Sequence, residues 1–136
     1  MLTDTLIATV LGLPMSVRLA LLDADPTGAG WYVHRTGQME LLPRAETYSK
    51  SLRTNIEYND AAWLPYNPLT ILSVACAVYN RAHLGDVPLW PTATKVPVDL
   101  WRLGLTGRRE DEPVVFADHV DPVVAAVEVL REVCRG

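Results

Sequence analysis

NPLTILSVACAVYNRAHLG, residues 67–85, is a helix with both ends written into it. Asn67 is placed to cap the N-terminus and Pro68 to take the first helical position, where a missing N–H costs nothing and the fixed φ already suits the helix. Arg81 and His83 fall in the last turn, where positive charge complements the carbonyl end of the dipole, and Gly85 follows as the left-handed stop. At about 100° per residue, Leu69, Leu72, Cys76, Tyr79 and His83 share one side and Ile71, Val74, Ala75 and Val78 fill another. Only Thr70, Ser73, Ala77, Asn80 and Arg81 make a narrow polar or small stripe. Such a helix has to be mostly buried. With fewer than about 20 residues, and with Asn, Arg and His among them, it is too short and too polar for a membrane span. The pattern predicts the central helix of a soluble core.

Outward from this helix, a second capped start at Asp121-Pro122 opens a C-terminal amphipathic helix, with Val123, Val124, Val127, Leu130 and Cys134 along one face. Val114 to Ala117 before it reads as a short strand, with 118–120 a turn, and TGRREDEP, residues 106–113, as a charged exposed loop. At the other end of the chain, Thr3 or Asp4 caps a short helix bearing Leu6, Ile7, Val10 and Leu11, closed by Gly12 and Pro14. SVRLALLD, residues 16–23, reads as an apolar strand, with a helix entered at Pro14 as the competing assignment. Residues 31–34 and 38–42 flank Arg35-Thr36-Gly37 as a hairpin. Residues 43–62 suit either a weakly amphipathic helix or an exposed strand over 53–58. Residues 63–68, WLPYNP, are extended by their prolines. Residues 86–98 are expected to run as a proline-rich crossover, followed by a short helix over 99–105. The fold expected is α/β or α+β: one domain over residues 1–136, a small mixed sheet packed by the central buried helix and the C-terminal amphipathic helix.

Composition narrows the function classes. A net charge of −4 and a pI near 5.3 leave no electrostatic footprint for a phosphate backbone, so no nucleic acid is expected as a direct ligand, and no membrane. Cys76 and Cys134 have neither metal-site spacing nor a disulfide framework, which places them as free thiols of a reducing, cytoplasmic compartment. The apolar N-terminus carries Asp4 and lacks a basic leader, and it reads as part of the fold.

One local pattern suggests chemistry. LALLDADPT, residues 19–27, is an apolar run followed by Asp23-x-Asp25-x-Thr27, and it resembles the first motif of the haloacid-dehalogenase-like phosphatases. The resemblance implies Asp23 as the nucleophile toward phosphorus, Asp25 as general acid and base, and magnesium between carboxylates and phosphoryl oxygens. It further implies Thr70 or Ser73 as the phosphoryl-binding hydroxyl, Lys95 as the neutralising cation, and Asp118 and Asp121 as strand-end acids of the metal site. The same Asp23 and Asp25 also read as ordinary loop carboxylates making Asx turns before Pro26. His34, facing Glu40 across the hairpin, His83 at a helix end, and His119 between Asp118 and Asp121 have no zinc-motif spacing.

The aromatics form a second clue. Trp63, Tyr66, Trp90 and Trp101 sit in or beside proline-rich connections, and rings on rigid extended segments make good interface anchors. They also suit a roof over the central helix. The function expected first is a small non-enzymatic module, of an accessory, phage or immunity type, that uses an acidic, Trp- and Pro-bearing surface to engage another protein or a copy of itself, with no cofactor. The second is a magnesium-dependent phosphatase using Asp23, Asp25, Lys95 and Asp118.

Overall fold

The computed structural model describes residues 3–43, 49–107 and 113–135. Among these are five helices and six strands, and the class is α+β. The strands form two antiparallel three-stranded sheets instead of one mixed sheet, and the chain divides into two compact units between Thr70 and Ile71.

In the first unit, helix α1, Asp4–Leu11, begins where the Thr3 side chain accepts a hydrogen bond from the Leu6 N–H at 3.2 Å. Helix α2, Met15–Ala24, takes up the run expected first as a strand. Its buried residues are Val17, Arg18, Leu21 and Leu22, which recur at the i, i+4 spacing of a helix, and Pro14 stands at the N-cap. A short apolar run satisfies either period. The helix wins because its buried stripe meets strand β3, Ala62–Pro65, and helix α3, Ser49–Asn59.

Strands β1, Gly30–Val33, and β2, Met39–Leu42, form the expected hairpin, and β3 pairs along the other edge of β1 with Trp63 opposite Tyr32. Leu22, Tyr32, Leu52, Ile56, Ala61 and Trp63 make one buried cluster. Within 43–62 the helical assignment holds over α3, while residues 44–48 lie outside the described residues.

Helix α4, Pro68–Ala82, starts as expected, with Asn67 Oδ1 accepting from the Leu69 N–H at 2.9 Å. Its first half is the buried half, through Ile71, Leu72, Val74 and Ala75. Gly37 in the hairpin turn and Gly85 after α4 both occupy the left-handed region, at φ +95° and +98°.

The second unit carries β4, Trp90–Val96, β5, Leu100–Thr106, and β6, Val115–His119, in that spatial order. The expected crossover and short helix are therefore a hairpin. Trp101, Leu103 and Leu105 alternate at the period of a strand, and Val98 and Asp99 make the turn at φ +63° and +57°. Pro91 is tolerated because β4 is an edge strand.

Helix α5, Pro122–Arg135, starts on Asp121, whose Oδ1 accepts from the Val123 N–H at 2.9 Å, and it packs on β5 and β6. Residues 108–112 of the charged loop lie outside the described residues. No single helix among the described residues is long and apolar enough to cross a membrane.

Candidate functional site

The outer face of the β4–β5–β6 sheet is built by strand alternation. Leu103 and Leu105 are buried on the face that α5 covers, so Arg102 and Gly104 look the other way. The register places Trp90 beside Thr106, Thr92 beside Gly104, and Gly104 beside Phe116. Trp90 and Phe116 are 42% and 46% exposed on this face. Gly104 is required there: a Cβ would overlap the Val115 carbonyl oxygen and stand 2.9 Å from Phe116 Cβ, so only glycine lets β6 close over β5.

Arg102 lies over the Phe116 ring at 4.5 Å and also grips Asp118, Nε to Oδ1 at 2.8 Å and Nη2 to Oδ2 at 2.9 Å. These two hydrogen bonds, with the guanidinium charge behind them, hold the Asp118 carboxyl below its ordinary value of 3.8. A lowered carboxyl pKa favours the folded state above the ordinary value, and that contribution fades as pH falls through the folded value. Acid unfolding followed by circular dichroism is accordingly expected to show a shallower decline of stability below about pH 4 in Asp118→Asn than in the wild type. Parallel acid profiles would remove Asp118 from the account.

The other aromatics are placed differently from each other. Trp63 is 1% exposed in the core of the first unit and is not a surface anchor, because β3 is buried along its whole length. Tyr66 is exposed and meets Trp31 with ring centroids 5.2 Å apart. Trp101 lies on the α5 side of its sheet, with Lys95 Nζ 4.8 Å from its ring centroid. Within the second unit Trp90 shares a face with Phe116, and Trp101 does not. Phe116 is not among the anchors expected from sequence, yet its signal was there: Val115, Ala117 and His119 alternate with Phe116 and Asp118 along β6.

The residues of the phosphatase resemblance are divided between the two units, with Asp23 and Asp25 in the first and Lys95 and Asp118 in the second. Asp23 closes a helix instead of a strand, and Arg53 Nη2 reaches both of its carboxylate oxygens at 2.5 Å. Asp25 stands in the following turn, its Oδ1 accepting from the Thr27 hydroxyl at 3.0 Å, which is the loop reading of that residue. Lys95 and Asp118 fall on opposite faces of one sheet. Thr70 and Ser73 are on helix α4.

His119 Nδ1 accepts from the Asp121 N–H at 2.9 Å, and His83 stacks on Tyr79. Among the described residues no three His, Cys, Asp or Glu side chains are grouped to hold a metal. Cys76 and Cys134 are free thiols whose pKa values burial pushes up. No protein-family model, no curated protein and no solved structure matches this chain.

Proposed function

We propose that this chain is a non-enzymatic protein-interaction module whose binding surface is the outer face and β4 edge of the β4–β5–β6 sheet. The observation that carries the proposal is the pair of half-exposed rings, Trp90 and Phe116, on the face opposite α5. Aromatic anchors of this kind concentrate binding energy at small entropic cost.

Two further features agree with it. Val98, a β-branched residue at φ +63°, is 89% exposed at the tip of the β4–β5 hairpin, an arrangement unfavourable in both backbone and solvation unless something is gained from presenting an apolar tip. Among the described residues β4 pairs with a strand on one side alone, β5, and addition of a strand on its other side is the mode of binding that fits. The partner that fits is an extended segment of another protein, its side chains laid against Trp90 and Thr92. Pro91 and Lys95 on the same edge are the residue types that discourage indiscriminate pairing.

A displayed library of extended peptides, panned on the intact chain, tests the reading. Enriched peptides are expected to bind the Trp90→Ala/Phe116→Ala double variant weaker by about tenfold or more while its unfolding midpoint stays close to the wild type. Peptides that bind both forms equally, or no enrichment at all, would overturn it. A concentration-dependent dimer lost in the double variant would assign the face to a second copy instead.

A further inference from the structure

A separate surface in the first unit is a cleft of about 560 Å3 between the β1–β2 hairpin and α3, within the size range of small-molecule sites. Its floor is apolar. Tyr32, Leu52 and Ala61 are members of the buried core cluster, and Leu42 packs against them. Polar groups stand above this floor on two walls.

On the α3 wall, Asn55 and Asn59 are one helical turn apart, and Asn59 Nδ2 donates to Asn55 Oδ1 at 2.7 Å. A primary amide holds one carbonyl acceptor and one amino donor group. The hydrogen bond between the two amides uses one of the two N–H bonds of the donor and one of the two lone pairs of the acceptor carbonyl, so the bonded nitrogen and oxygen, 2.7 Å apart, keep one N–H and one lone pair between them, whichever way the two are turned. The wall thus presents a donor and an acceptor side by side.

On the hairpin wall, His34 Nε2 lies 3.6 Å from Glu40 Oε2, and the imidazole meets the Tyr32 ring edge-on at 4.4 Å between centroids. Burial, with Glu40 nearby, pushes the Tyr32 phenol above 10, so it is a neutral hydroxyl at ordinary pH. Glu40 and Arg35 set opposite charges around the opening, which favours neither an anion nor a cation.

We infer that this cleft binds an uncharged planar heterocycle with a lactam edge, of the free nucleobase or nucleoside class, with its ring on the apolar floor and its N–H and C=O paired to Asn55 and Asn59. The ring matches the floor, and the lactam is the hydrogen-bonding complement of the amide pair. A ligand lacking the N–H leaves the Asn carbonyl covered and unpaired, which is how polar sites reject near-isosteres. The inference is independent of the sheet face.

Titration of the 15N-labelled chain with uridine and with guanosine tests it. One of the two is expected to shift the side-chain amides of Asn55 and Asn59 together with backbone amides of residues 34–40. Methylation of that probe's ring lactam nitrogen, and separately Asn59→Ala, is each expected to weaken binding about tenfold or more, with the unfolding midpoint of Asn59→Ala unchanged. Absence of shifts with both nucleosides at millimolar concentration, equal affinity for the methylated probe, or unchanged affinity in Asn59→Ala would each overturn the assignment.

Discussion

Trp63→Ala is expected to cost the first unit about 3–5 kcal/mol of folding stability, the range for deleting a large buried ring from a packed core. Trp63 is 1% exposed and shares its cluster with Leu22, Tyr32, Leu52, Ile56 and Ala61. The backbone has been fitted to it as well. A Cβ on Gly30 would overlap the indole ring, so β1 reaches its neighbouring strand only because that position has no side chain. The alanine variant therefore leaves a cavity that a rigid strand on one side and helix α2 on the other cannot fill. Trp63→Phe, which keeps a ring in the space, is expected to lose less. Urea unfolding followed by far-ultraviolet circular dichroism makes the measurement without relying on the removed fluorophore. A loss below about 1 kcal/mol would mean that the indole contributes little to this core.

Arg18→Ala is expected to cost about 1–3 kcal/mol for each buried carbonyl it leaves without a donor, by a different mechanism. Arg18 is the one buried charged side chain among the described residues, 7% exposed. Its guanidinium donates to the Leu13 carbonyl at 2.9 Å, to Asp60 Oδ1 at 2.6 Å, to the Ala61 carbonyl at 3.4 Å, and to the Leu11 carbonyl. The end of α1, the link into α2 and the turn between α3 and β3 are thereby joined at one side chain.

Truncation would leave carbonyl oxygens without their donor at a helix end, where the intrahelical ladder has no donor to offer. Arg18→Lys is expected to recover little, because a single ammonium cannot reproduce the planar fork that serves carbonyls and carboxylate together. Asp60→Ala is expected to cost less than Arg18→Ala, since Asp60 is largely in solvent while Arg18 keeps its carbonyl partners. A double-mutant cycle separates the ion pair from the carbonyl bonds. If Arg18→Ala and Arg18→Lys were equally mild, the network would be incidental to stability.

The candidate surfaces were legible to unequal degrees. Trp90 stands out because a tryptophan beside Pro91 in a proline-rich connection is conspicuous in one dimension. Phe116 was not, since a ring within VVFA reads as interior until β6 is seen to have one face under α5 and the other open. His34 and Glu40 were matched across the hairpin from turn length alone, yet Asn55 and Asn59 carried no signal. Exposed asparagines on a helix become a donor and acceptor pair only when a wall stands opposite them.

The phosphatase resemblance is carried by local sequence alone. Its residues are spaced along the chain in a suggestive order, but Asp23 is a helix residue claimed by Arg53, and Lys95 and Asp118 face apart on one sheet.

Local chemistry was enough to place the starts of α1, α4 and α5 at Thr3 or Asp4, Asn67-Pro68 and Asp121-Pro122, and to place the turn of the first hairpin at Arg35-Thr36-Gly37, because a cap or a turn involves groups within a few residues of each other. The state of residues 16–23, the sorting of strands into two sheets and the burial of Trp63 were settled elsewhere. Each depends on what comes to lie against the segment from far along the chain, as Arg18 meets Asp60 across 42 residues. An apolar run has no preference between strand and helix until a partner surface exists, and a tryptophan is core or anchor according to whether that surface covers it.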